Sequence, residues 1–309
     1  MIIGWTLLLQ LALQAVLPVA LLASLALRTP SSRAGFWAHT LVTALLVPTL
    51  ALTGTWTLLP WWTPYLYAAA LLVIGAALYG ARALPSARWP TGHIGRMHLA
   101  TSGLTATLAI ALCGWALVGR VPADQAAIDL QFPLPAGDYQ VLQGGSTRIV
   151  NANLARGGTA ALGIDVVRLN AAGLRASLPA SREPAHYFIH GTRVLAPCDG
   201  TVLDVQDTRT ERPVPGDDTR RPLGNTLRLR CGDAVVTLGH LRERSVRVRP
   251  GDVVGIATPL AVVGNSGAPD EPVLHLHAHR GTVPLALRFN GRSLVRNDRV
   301  SVAPAPRAR

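Results

Sequence analysis

Gly264 to Arg280, reading GNSGAPDEPVLHLHAHR, holds the densest group of chemistry-bearing side chains in the sequence. A turn of small residues, Gly264 to Gly267, leads through Pro269 and Pro272 into an alternating run. Val273, His275, His277 and His279 share one parity; Leu274, Leu276 and Ala278 share the other. Period two marks a strand with two unlike faces. The even side is expected to enter a core. The odd side sets imidazoles in a row about 7 Å apart, from two residues of strand rise each. Imidazole is the commonest metal ligand and changes charge near neutral pH. Metal binding and proton transfer are the chemistries on offer, against the plain alternative of a polar strand surface.

The elements that must position this row are read from the rest of the chain. Its 309 residues suffice for two or three units. It is 49% hydrophobic with a mean hydropathy of +0.30, and the excess lies at the front. Every Asp and Glu follows residue 123, which separates an apolar part from a water-soluble one. All 29 basic residues are Arg, giving a net charge of +12. They are scattered among acids, with no basic run interleaved with aromatics, which argues against a nucleic-acid partner. Attraction to an acidic envelope polymer or anionic lipid fits the charge better.

Four apolar runs are expected to cross a membrane: 3–27, 36–59, 65–81 and 99–118. Trp61, Trp62 and Tyr65 suit an interfacial belt. The first run is too long for a signal h-region and is read as retained. Arg28 and Arg33 lie in one connection and Arg82, Arg88 and Arg96 in another, whereas 60–64 has no charge. The positive-inside rule puts the Arg-bearing loops in the cytoplasm and everything after Arg120 outside. No carboxylate falls within a span and His39 sits near an end, so these helices read as an anchor and not a transport path.

The expected organisation is therefore a four-helix transmembrane anchor over 1–120, a Pro-containing linker over 121–138, a β domain over 139–290 and a tail over 291–309. Short Val/Leu/Ile-rich runs punctuated by Gly, Pro, Asp and Asn make the third unit all-β. They include 139–142, 162–169, 193–196, 200–205, 225–230, 234–238, 245–248, 253–256 and 260–263. Residues 207–222 have no period and read as an exposed loop, and the chain after Val302 as disordered. Cys113 lies in the fourth span. Cys198 and Cys231 each end a predicted strand in an oxidising compartment and are candidate disulfide partners.

Several pieces, in order, resemble the M23 (lysostaphin-type, LytM-like) zinc metallopeptidase family. Gly163-Ile164-Asp165-Val166 resembles its G-x-D-[IV] segment, and Gly191 to Val202 its G-T-P-V-x-A-x-x-D-G-x-V stretch. Gly224-Asn225-Thr226-Leu227 resembles the strand entry G-N-x-[VI]. Gly239-His240-Leu241, with Val246, Val248, Gly251 and Val254 beyond it, is similar to the [YA]-H-L…V-x-x-G-x-x-V run. Gly264-Asn265-Ser266-Gly267 with Glu271-Pro272 matches G-N-[ST]-G…P before H-L-H. The resemblance covers roughly residues 140 to 285 and implies an antiparallel β core with a zinc site. Two His and one Asp hold such a zinc, which lowers the pKa of a bound water to about 7. Two further His position that water and stabilise the oxyanion.

Carried over residue by residue, the resemblance makes Asp165 and His275 metal ligands and His240 an auxiliary histidine. The second auxiliary position holds Val273. The upstream ligand falls on Ala161 in one register. In the other it falls within Val150-Asn151-Ala152-Asn153, where Asn153 offers a hard oxygen that suits zinc poorly. A two-residue slip would instead pair His275 with His277 and leave His279 spare. The candidate set is thus His240 and His277 as catalytic groups, with Asp165, His275 and Asn153 at the metal. His186 and His190 read as surface residues. The implied function is a membrane-anchored, extracytoplasmic protein that binds or acts on peptidoglycan peptides. Its zinc hydrolysis is impaired or lost, and the alternative is an active endopeptidase with rearranged ligands. A membrane-protein or wall-hydrolase partner is compatible with both.

Overall fold

A computed structural model describes residues 8–27, 32–80, 86–121 and 126–304. The chain forms two compact units, Met1–Leu117 and Val118–Arg309.

Four helical segments make up the described part of the first unit: α1 (Leu8–Leu27), α2 (Arg33–Thr53), α3 (Thr63–Gly80) and α4 (His93–Val118). By length and composition α1, α2 and α4 can cross a membrane; Thr63–Leu78 is apolar but shorter. Side chains such as Leu72, Val73 and Leu104 point outward. Lipid, unlike water, exacts no cost for that exposure. The second apolar run stops at Thr53, not 59. Gly54 turns extended, where a Cβ would lie 2.7 Å from the Leu50 carbonyl oxygen, and Trp56 follows at φ 53°. The fourth helix begins earlier than expected, at His93. Arg33 and Ala34 donate their backbone N–H groups to the carbonyls of Ala87 and Arg88. Two of the Arg-bearing connections therefore meet at one end of the helices. Residues 3–7, Arg28, Arg82, Pro122 and the chain end at 305–309 lie outside the described residues.

The second unit is all-β and antiparallel apart from one parallel pair. Its strands are β1 (Ala127–Leu130), β2 (Gly137–Gln143), β3 (Ile164–Leu169), β4 (Arg193–Leu195), β5 (Gly200–Gln206) and β6 (Asn225–Cys231). They continue with β7 (Ala234–Leu241), β8 (Val253–Val254), β9 (Pro259–Val262), β10 (Leu274–Arg280), β11 (Val283–Phe289), β12 (Arg292–Ser293) and β13 (Arg299–Val302). The main sheet runs β13-β2-β3-β10-β7-β6-β5-β8, with β11 joined to β10, β1 and β12, while β4 and β9 form a separate pair. The even residues of β10, Leu274, Leu276 and Ala278, are buried against Leu238 and Val236 of the core, as the alternation demands.

Three sequence expectations are corrected by packing. The 121–138 segment is no free linker: β1 pairs in parallel with β11, and Leu130 and Leu134 are buried. The tail begins later than 291, because β13 pairs with β2 and both Leu294 and Val295 enter the core. Residues 245–248 form no strand. The Asp207 carboxylate takes the backbone N–H groups of Ser245 and Val246 and holds them in a loop. The 207–222 loop has no regular element but is docked, with Arg212 and Asn265 exchanging hydrogen bonds.

Cys198 and Cys231 form a disulfide with a Cα–Cα distance of 5.9 Å, joining the start of β5 to the end of β6. A buried ion pair, Arg175 to Glu271 at 2.8 Å, fastens the loop after β3 to the loop before β10. Removing one partner of a buried pair uncovers the other charge at a cost of about 3–5 kcal/mol. Glu271→Ala is therefore expected to lower the unfolding free energy of the β unit by that amount, whereas Asp270→Ala leaves it near wild type. Chemical denaturation of both variants is the check.

Candidate functional site

Register places the site. Across β3 and β10, His275 stands opposite Asp165; across β7 and β10 it stands opposite Gly239, one residue from His240. Side chains on one face of neighbouring strands lie within contact distance. His275 Nδ1 donates to Asp165 Oδ1 at 2.6 Å, and His275 Nε2 lies 3.1 Å from His277 Nδ1. The His240 and His275 rings are edge to face with centroids 6.0 Å apart. Asp165, His240, His275 and His277 thus come together, from β3, β7 and β10.

Local sequence makes room for these rings. A Cβ at Gly163 would stand 2.7 Å from His275 Cε1, so the residue two before Asp165 must be glycine. His240 takes φ 60°, uncommon for a residue with a side chain, and its backbone is pinned on both sides. Its N–H donates to Leu223 and its carbonyl accepts from Gly264. His240 Nδ1 donates to the Ser266 carbonyl at 2.9 Å, which leaves Nε2 as the acceptor of the neutral ring. Gly224, at φ 60°, lets Ser266 approach closely enough for its hydroxyl to accept from Asn225 N–H. The two Gly-Asn turns are thereby locked together behind His240.

Of the two upstream candidates, Asn153 touches the Asp165 carboxylate. Asn153, on the short helix α5 (Asn153–Arg156), donates from Nδ2 to Asp165 Oδ2 at 3.3 Å and to the Gly163 carbonyl at 3.2 Å. Its Oδ1 accepts from Arg156 at 2.8 Å. No contact of this kind joins Ala161 to Asp165. Val273 packs with Leu142 and Val167 in a small apolar cluster. His186 Nδ1 bonds the Ser181 hydroxyl, and His190 Nε2 bonds Glu211 at 3.0 Å. His190 is largely buried by that pairing and is not the surface residue expected. An open groove of about 560 Å³ lies beside it, lined by Arg182, Glu183, Glu211 and Pro213.

Zinc is tested against this donor set. A tetrahedral ion with its ligands near 2.0–2.2 Å holds an Asp oxygen and a His nitrogen roughly 3.3 Å apart. Asp165 and His275 are closer than that and bonded to each other. The other Asp165 oxygen is occupied by an amide N–H, and the Asn153 oxygen by a guanidinium. Among the described residues, no three His, Cys, Asp or Glu side chains gather as a metal-holding group. The residues present do not fit a catalytic zinc.

Electrostatics follow from burial. Burial pushes the Asp165 carboxyl up, but the His275 charge and hydrogen bond, helped by His240 and Arg156, hold it below the usual range. Burial and the neighbouring His275 push His240 down to about 4, and the same two causes push His277 down to about 3. Both rings are neutral near pH 7. Sequence reasoning missed Arg296, whose Nε donates to the Val150 carbonyl and whose second nitrogen reaches Gln143 at 2.6 Å. Burial lowers it to about 10, against the pull of Asp165. No local pattern in LVRND marks it; only the fold brings it to Gln143, which faces Asp165 across β2 and β3.

Residues 186–287 match the sequence profile of Peptidase family M23, and the β unit has the M23-like fold. No curated protein matches the chain in a sequence search. Among solved structures, the catalytic domain of the antimicrobial peptidase lysostaphin from Staphylococcus simulans is 19% identical, over 38% of this chain and 64% of that one, with a TM-score of 0.25. A putative peptidase M23 from Pseudomonas aeruginosa is 15% identical over 53% and 50%, with a TM-score of 0.30. A zinc-containing peptidase from Vibrio cholerae is 18% identical over 40% and 45%, with a TM-score of 0.24. The chain spans less than two thirds of each of these proteins.

Proposed function

We propose that the chain is a multi-pass protein of the cell membrane whose M23-type unit lies on the extracytoplasmic side. There it binds peptides of peptidoglycan and does not cut them with zinc. Its role is then that of a regulator or docking partner, with a membrane protein or wall hydrolase as the other member. The single observation that carries this reading is the direct 2.6 Å bond between Asp165 and His275, with an amide on the remaining carboxylate oxygen. The family's β scaffold supports the binding role, and the protein donors on Asp165 and Asn153 support the loss of the metal. The topology is supported by the Arg-bearing connections, which the positive-inside rule assigns to the cytoplasm.

Metal analysis and sedimentation with purified wall sacculi test the proposal on the full chain in detergent. The expected result is co-sedimentation, with zinc well below one ion per chain after dialysis against a mild chelator. Stoichiometric zinc that survives dialysis contradicts it. So does chelator-sensitive release of wall fragments that both Asp165→Ala and His275→Ala abolish.

A further inference from the structure

We propose that Arg228 and Thr237 form an anion subsite on the open face of the main sheet, and that it holds a free carboxylate of the bound peptide. This rests on the peptide-binding role proposed above and names the chemistry that the peptide must carry. Register builds the site. Thr237 of β7 stands opposite His277 of β10 on one side and opposite Arg228 of β6 on the other. Directly opposed residues share a face. The alternate residues Val236, Leu238, Leu227 and Leu229 fill the core. Arg228 and Thr237 therefore lie on the side of the sheet that carries His277. Arg230, two residues further along β6, joins them there.

Both groups at the centre of this face lack partners. Thr237 is only 5% exposed, yet its hydroxyl makes no hydrogen bond among the described residues, and its oxygen is not sealed from solvent. A hydroxyl taken out of water without a partner carries a cost that a ligand can relieve. The Arg228 guanidinium is partly exposed and makes no ion pair or hydrogen bond among the described residues. Asp204 of β5 stands opposite it, but that carboxylate is exposed and no ion pair joins the two. Arg228 is near enough to His277 to act on its ring as a cation. Arg230 is exposed and likewise unpaired, so two cations against one exposed carboxylate leave the patch positive. A guanidinium is a planar fork that matches a carboxylate through two parallel hydrogen bonds. The Thr237 hydroxyl beside it supplies a third donor. An amide carbonyl offers a single neutral acceptor and leaves part of the fork empty, which is the basis for discrimination.

Fluorescence anisotropy on the full chain in detergent tests the subsite. The probes are a labelled peptidoglycan stem peptide and the same peptide with every carboxyl group converted to an amide. Wild type is expected to bind the acidic form about 10-fold or more tightly, the scale of a hydrogen bond to a charged group. Arg228→Gln should abolish that preference while binding the amidated peptide as wild type does. Arg228→Lys should keep part of the preference, since a point charge replaces the fork. Arg249→Gln, which removes an exposed arginine from the loop after β7, should leave it whole. A preference lost equally in Arg249→Gln marks general attraction to a basic protein and overturns the subsite. Displacement of the peptide by equimolar inorganic phosphate assigns the patch to phosphate groups and overturns it too. Binding of both peptides alike, or a preference that survives Arg228→Gln, overturns the subsite and leaves the proposed function standing. Binding of neither peptide removes the proposed function, and the subsite falls with it.

Discussion

Replacing Asn153 with histidine is expected to raise zinc affinity by about 100-fold or more, the scale on which whole ligands outrank their supporting partners. The wild-type set offers one carboxylate and one imidazole, and three protein ligands plus water are what a catalytic zinc site requires. Asn153 already touches Asp165 Oδ2, so an imidazole there stands at the missing vertex. The ion must then part Asp165 from His275, which are bonded at 2.6 Å, and a third ligand makes that separation favourable. The substitution gives up the Asn153 bonds to Gly163 and Arg156, a cost confined to the short helix α5. Val273→His is the control. It adds an auxiliary group without a third ligand and should change affinity little. Both variants are measured by competition with a chromophoric chelator. An Asn153→His protein that binds zinc no better than wild type would show that residue 153 does not stand at the ligand vertex.

The parts of this site that were legible in the sequence are those with a period or a chemistry-bearing residue type. Alternation alone assigned Leu274, Leu276 and Ala278 to the core and set His275 and His277 on the opposite face of β10. Composition alone separated the apolar helices from the β unit. The meeting of Asp165 with His275 was legible only through motif order, since no local property ties residues 110 positions apart. Asn153 stayed ambiguous, and Arg156 carried no signal, because amide and guanidinium side chains are common on any surface. The closing strands β11 to β13 were missed for a different reason. Arg292–Ser293 and Arg299–Val302 are short and only partly buried, and their assignment comes from pairing partners β11 and β2. The end of α2 at Thr53 was also hidden, because a glycine in an apolar run signals no stop until Trp56 is seen to fold back.

Acidification from pH 7 toward pH 4 is expected to destabilise the β unit steeply. His240 and His277 are buried and neutral in the fold, with pKa values pushed down to about 4 and about 3 from the ordinary 6.5. In the unfolded chain both take up a proton as pH falls through about 6.5. Between that point and the folded values, the unfolded state binds more protons, so stability drops as pH falls. Each histidine contributes a slope of up to about 1.4 kcal/mol per pH unit, and the two together about twice that. Above pH 7 neither group contributes any dependence. Asp165 acts in the same direction further down: its depressed carboxyl adds stability that is lost only as pH drops below the ordinary carboxylate range. The measurement is the urea midpoint of the full chain in detergent from pH 8 to pH 5, read by pulse proteolysis of the β unit. His277→Asn, which cannot titrate, should remove about half of the slope between pH 6.5 and pH 5. A midpoint that stays flat over this range, or a slope untouched by His277→Asn, would mean that these rings already carry their protons in the fold. The picture of His240 and His277 as rings kept neutral by burial would then have to be abandoned.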